Sequence, residues 1–121
     1  MTWAVRGTEV FDGWFTSLSE AEREDVIATV DLLKVLGPRL GFPHTSKING
    51  SRHGQMRELR IQHAGRPYRV LYAFDPQRAA ILLVGGDKTG NGRWYQQMIA
   101  LADRLYDEHL DEVRQTTKER R

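Results

Sequence analysis

The sequence predicts an α+β protein in which a small antiparallel sheet packs with two N-terminal helices and one C-terminal helix. Three observations carry that expectation. Three strand-like runs follow one another between Met56 and Val84 with short joins, and parallel pairing would need longer crossovers. Apolar residues recur at helical spacing on both sides of those runs. Cap and breaker residues mark the boundaries. The predicted order is β-α-α-β-β-β-α, with helices laid against one sheet face.

Each element has a local reason. Thr2–Arg6 alternates enough for a short strand. Thr8 is a candidate cap for a helix carrying Phe11, Trp14, Phe15 and Leu18 on one face. Ser19-Glu20-Ala21-Glu22 matches a capping box, in which hydroxyl and carboxylate each satisfy an orphan amide. The second helix then shows Val26, Ile27, Val30, Leu33 and Leu36, and Gly37-Pro38 stops it. Gly37–Gly54 reads as a loop rich in Gly, Pro, Ser and Asn. Met56–Gln62, Pro67–Phe74 and Arg78–Val84 read as a hairpin meander. Gly85–Gly92 reads as a flexible loop. An amphipathic helix follows from about Arg93 to Val113, showing Met98, Leu101, Ala102, Leu105 and His109. One domain over residues 1–113 is expected, with 114–121 a polar, frayed tail.

The 121 residues suffice for a core without staples, and there is no cysteine. Disulfides, thiol chemistry and Cys-based metal sites are therefore excluded. No apolar run approaches the roughly 18 residues of a spanning helix, and the N-terminal MTWAVRGTEVF lacks a signal-peptide apolar block. A cytoplasmic location without membrane contact is the expectation. No cofactor is implied. GGDKTGNG lacks the spacing of a phosphate loop, and the histidines lack paired metal spacing.

Charge is unevenly placed. Residues 1–43 hold four bases and seven acids, whereas residues 44–93 hold nine bases against three acids, a local net of +6. Such an excess fits nucleic acid, although a solvated basic face with no partner reads the same way. Arg57, Arg60, Arg66 and Arg69 interleave along the strands, and Lys88, Arg93 and Tyr95 follow in or beyond the Gly-rich loop.

The segment MRELRI, the strand PYRVLYAF, an apolar third strand ending in glycine, a basic loop and RWYQQMIALADRLYDEHL together resemble the RelE/ParE superfamily of toxins. The likeness runs from Phe11 to about Leu110 and is greatest to the HigB-like, phage-derived branch. It implies the toxin of a two-gene toxin–antitoxin pair. The expected activity is metal-independent endoribonuclease cleavage of messenger RNA presented by the ribosome; the alternative is a ParE-like protein that poisons DNA gyrase by binding. The implied partner is an antitoxin with a helix-turn-helix domain, through which alone operator DNA would be met. Carried over by position, the catalytic candidates are Arg69 in PYRVLY, Arg60 in the preceding strand, Lys88 in VGGDKTG, and Tyr95. The loop departs from the usual pattern in carrying Asp87 and extra glycines.

The residue types suit RNA, whose own 2′-hydroxyl is a nucleophile. Arg60 and Arg69 stay protonated and offer bidentate donors to a phosphate. Proton transfer then falls to Lys88, Tyr95 or a histidine, His53 and His63 being the rivals. Crowding by cations is expected to lower both Lys88 and Tyr95. Arg57, Arg66, Arg93 and Lys47 are candidate RNA contacts, and Trp94 is a candidate base-stacking ring. Arg57 and Arg60 are three apart and fall on opposite strand faces.

Overall fold

Side-chain caps start both N-terminal helices. The computed structural model describes residues 2–119. Thr8 Oγ1 accepts from Phe11 N at 3.0 Å and begins α1 (Glu9–Ser17). Ser19 and Glu22 form the reciprocal capping box of α2 (Glu20–Leu36), at 2.9 and 3.2 Å. Gly37 ends α2 with φ 54°, a left-handed conformation that glycine adopts without a Cβ penalty. The strands are β1 (Val5–Gly7), β2 (Thr45–Lys47), β3 (Arg57–His63), β4 (Arg66–Phe74) and β5 (Ala80–Asp87); α3 (Trp94–Glu119) follows.

The sheet order is β1-β5-β4-β3-β2. The β3-β4-β5 meander is antiparallel, as its short joins require. Four local expectations need correction. First, β1 pairs parallel to β5, so the sheet is mixed; α1 and α2 lie between β1 and the rest and supply the long connection that parallel entry needs. Second, Thr45–Lys47 is a strand on the outer edge of β3. Its composition reads as loop, but Thr45 is buried, donating to Glu58 O at 2.9 Å and bonding Tyr72 Oη at 2.8 Å. Third, Gly85, Gly86 and Asp87 continue β5 instead of opening a loop. The glycines serve packing: a Cβ at Gly85 would collide with the Trp14 ring, and one at Gly86 would lie 2.6 Å from Trp94 Nε1. Fourth, α3 begins at Trp94 and runs past Val113 to Glu119, so residues 114–119 continue the helix. Arg120 and Arg121 of the expected tail lie outside the described residues.

Helices cover both sheet faces, not the single face the element order suggests, because α3 carries its own apolar stripe back across the sheet. Leu59, Ile61, Val70 and Tyr72 meet Phe11, Val26 and Leu33 on the α1/α2 side. Leu71, Ala73, Ile81 and Leu83 meet Trp94, Ile99, Ala102 and Tyr106 on the α3 side. Burying such a large apolar side chain contributes about 1.5–3 kcal/mol, so the meander is a rigid platform. The α3 side also carries polar residues of β3 and β4, and these define the site. Among the described residues, no helix is long and apolar enough to cross a membrane.

Candidate functional site

Strand alternation sets Glu58 and Arg60 of β3 on the same face as Arg69 of β4, toward α3. The register places Arg60 directly opposite Arg69, with Gly86 on Arg69's other side. Like charges opposite one another are unfavourable in a sheet. The carboxylate that offsets them is Glu58. It accepts from Tyr95 Oη at 2.5 Å, Ser46 Oγ at 2.6 Å and Arg60 Nη1 at 3.3 Å. Glu58 and Arg69 are each only 4% exposed. Arg69 Nη1 donates to Tyr68 O at 2.9 Å. Its Nε lies 3.5 Å from Glu58 Oε1 yet makes no hydrogen bond, the one buried side-chain N or O so left among the described residues. An unfilled buried donor costs about 1–3 kcal/mol.

The segment after β5 delivers the other candidates. Lys88 N donates to Pro67 O at 3.1 Å, fastening the loop to β4. Asp87 Oδ1 accepts from Thr89 N at 2.9 Å, and Asn91 Oδ1 from Arg93 N at 3.0 Å, which leads the chain into α3. Lys88 Nζ stands 5.1 Å from the Tyr95 ring centroid. Burial, then Arg69 and Arg60, pull the Lys88 ammonium below its usual value, against Glu58. Tyr95 goes the other way. Burial first, then the hydrogen bond and charge of Glu58, push its phenol up, and Arg69 offsets them only in part. The expectation that cations would lower Tyr95 is therefore corrected, because burial and the Glu58 carboxylate outweigh Arg69.

Two shallow hollows flank Tyr95. One of about 430 Å³ is bounded by Asn49, Arg52, Gln96 and Asp103; the other, of about 320 Å³, reaches Lys47 and Glu58. Asn49, Tyr95 and Ile99 line both. The β2–β3 loop forming their wall is pinned to α3. Asp103 accepts from Ser51 Oγ at 2.5 Å and Arg52 N at 3.1 Å, and Asp107 binds Arg52 Nη2 at 2.6 Å. A larger hollow of about 630 Å³ lies at the β1 edge beside His109 and Glu112, away from the cationic cluster.

The remaining candidates scatter. Arg57 is on the α1/α2 side, its Nε 3.3 Å from Thr45 Oγ1. Arg66 packs on Tyr68 and pairs with Glu22 at 3.6 Å and Asp87 at 3.4 Å. Lys47 is exposed on the hollow shared with Glu58 and Tyr95, and Arg93 is exposed just before α3. Trp94 is buried over Gly86 and offers no free face for a base. The rival histidines belong elsewhere: His53 meets Asp107 at 2.8 Å and His63 meets Asp25 at 2.6 Å. Among the described residues, no three His, Asp or Glu side chains gather as a metal site would require. The residue missed from sequence is Glu58. The available signal was an acid two positions from Arg60, hence on its face, inside a strongly basic segment.

The comparisons with known proteins agree with this architecture. The family described as "Phage derived protein Gp49-like" matches residues 13–107. The chain belongs to that family. Within it the chain is a homologue of HigB-like toxins. It is 48% identical to the candidate toxin HigB3 of Mycobacterium tuberculosis over 98 residues, 80% of this chain and 84% of that protein. It is 40% identical to HigB2 of the same organism over 115 residues, 93% of this chain but only 57% of that protein's length. Two solved structures share the fold. A chain of the archaeal RelE–RelB complex from Pyrococcus horikoshii OT3 aligns with TM-score 0.54 at 22% identity, over 74% of this chain and 99% of that one. A doubly substituted E. coli toxin RelE in the free state aligns with TM-score 0.55 at 15% identity, over 78% and 92%.

Proposed function

We propose that this protein is the toxin of a toxin–antitoxin pair and cuts messenger RNA through its 2′-hydroxyl. The observation that carries the reading is the convergence of Arg60 and Arg69 on the single carboxylate of Glu58, with Lys88 over the adjoining Tyr95 ring and one Arg69 donor unfilled. One negative charge among three cations leaves a surplus suited to a phosphodiester.

The roles follow from the groups. Arg69 and Arg60 donate to the phosphate oxygens and stabilise the charge that builds on phosphorus. Glu58 takes the 2′-hydroxyl proton as the O2′–P bond forms. Tyr95, which already donates to Glu58, sets that carboxylate's orientation. Lys88, made more acidic by burial and arginine neighbours, protonates the 5′-oxygen as the P–O5′ bond breaks. The products are a 2′,3′-cyclic phosphate and a free 5′-hydroxyl. In the free protein Glu58 shields both arginines, so the phosphate must exchange with it. Shallow hollows and a net charge of only +2 favour presentation of the RNA by the ribosome over capture of free RNA. A ribosomal substrate sets the working place in the cytoplasm. Neutralisation then falls to an antitoxin, in this reading one with a helix-turn-helix domain.

Purified protein added to translating ribosomes tests the reading. Messenger RNA should be cut, with cyclic or 3′-phosphate ends on the upstream fragment. Intact transcripts at growth-arresting doses, together with DNA breaks, would transfer the case to gyrase poisoning.

A further inference from the structure

Phe42 is 75% exposed, the most open of the large apolar side chains among the described residues. It lies between the 3₁₀ turn at Gly37–Arg39 and β2. Its turn is well tied: Gly41 O accepts from His44 N at 3.0 Å and Thr45 N at 3.3 Å, and His44 O accepts from Arg60 N at 2.9 Å. The Arg60 side chain returns to the same place, its guanidinium carbon 5.3 Å from the Phe42 ring centroid. The same guanidinium reaches Glu58 at 3.3 Å. Ring, guanidinium and carboxylate therefore form one continuous path from the rim into the cationic cluster.

We propose that Phe42 is a stacking platform for a nucleobase of the RNA whose phosphate the Glu58–Arg69 cluster holds. The inference rests on the nuclease reading and adds a base-binding subsite to it. Every base has a π-face, so an exposed ring beside a phosphate site binds single strands with little sequence demand. An exposed cation–π contact is too weak to account for leaving the ring in water, and a stacked base would cover it. Arg60 joins the two halves of the ligand, lying against the ring while its donors face the phosphate position. Fixing the turn through Arg60's own amide and side chain removes most of the ordering cost of presenting the ring.

The test is cleavage of messenger RNA on programmed ribosomes by wild type, Phe42→Ala, Phe42→Leu and Phe42→Trp, with KM and kcat measured separately. Ala and Leu should both lower kcat/KM roughly tenfold, chiefly through KM, as expected for one lost stacking ring. Trp should hold or improve it. All three should melt like wild type, because the ring is outside the core. Equal activity of wild type and Phe42→Ala overturns the proposal and leaves the ring to a protein partner. Full activity of Phe42→Leu also overturns it, since the contact would then be merely apolar. If wild type itself cuts nothing, the nuclease reading falls and takes the platform with it; a cutting wild type with an indifferent Phe42→Ala sinks the platform alone.

Discussion

Each face of the sheet carries a tyrosine, a carboxylate and an arginine in contact, and the two sets differ in the sign of what remains. On the α1/α2 side Tyr68 donates to Glu22, while Arg66 is shared between Glu22 and Asp87. Two carboxylates answer one guanidinium. The Tyr68 hydrogen bond and those of Ser19, with a smaller contribution from Arg66, hold Glu22 down to about 2; burial and Glu22 push Tyr68 up to about 12. That set is a pin joining the start of α2 to β4. On the α3 side one carboxylate pairs with Arg60 and Arg69, and Lys88 stands over the adjoining Tyr95 ring. The same residue types make a closed structural contact in one place and, in the function proposed above, a seat for an anion in the other. The net charge left after pairing separates them.

The sharpest way to break this contrast is to remove the arginine from each set. Arg69→Ala should lower cleavage by about 10²–10³, the usual cost of losing a transition-state donor, and abolish growth arrest. Arg66→Ala should leave both near wild type. Arg69→Lys keeps the charge but loses the planar fork, and should restore little. Comparable losses from Arg66→Ala and Arg69→Ala, with both variants folded by circular dichroism, would erase the distinction.

Of the same order is Glu58→Gln, which preserves shape and removes the charge. In the proposed role of proton acceptor Glu58 would contribute about 10²–10⁴ in rate, so kcat should fall by that order while the fold is retained. A variant as active as wild type would reduce Glu58 to a clamp on the arginines. Lys88 gives a smaller effect, read in the pH profile. Its ammonium titrates below the usual 10.5, so proton donation should fade as pH rises through that lowered value. Lys88→Arg should slow cleavage and move the alkaline limb upward. An unmoved limb would assign that limb to another group.

The contrast also explains what could be read from the chain. Helix caps at Thr8 and Ser19 and the β3-β4-β5 meander depend on neighbours in sequence, so local spacing revealed them. Arg69, Lys88 and Tyr95 were reached through the family likeness. Glu58 was not, because an acid among nine bases looks like a surface partner until strand pairing buries it between Arg60 and Arg69. The β2 strand and the strand character of Gly85-Gly86 were hidden for a related reason. Their composition says loop, and only the distant partners Tyr72, Trp14 and Trp94 make them sheet. Arg57 and Arg66 carry the same charge as the site arginines, but strand alternation and acid partners take them away from it.

The smallest effect belongs to the pin itself. The folded protein holds Glu22 at about 2 against an ordinary 4.5. A carboxylate depressed by folding adds stability that is fully present above its unfolded value and is lost as pH falls through its folded one. Glu22→Gln should therefore melt a few degrees below wild type at neutral pH. The gap should narrow between about pH 4.5 and 2 and vanish below, where wild type carries the neutral acid as well. Added salt should shrink the part of the gap due to Arg66, which is half exposed. The Tyr68 hydrogen bond, being short-ranged, should survive salt. Cleavage by Glu22→Gln should stay at the wild-type level across the neutral range. A pH-independent gap would mean that the Glu22 charge contributes nothing and that the pin is held by packing of Tyr68 alone; a loss of cleavage would mean that the two faces of the sheet are coupled, and that the tyrosine sets cannot be told apart by charge balance.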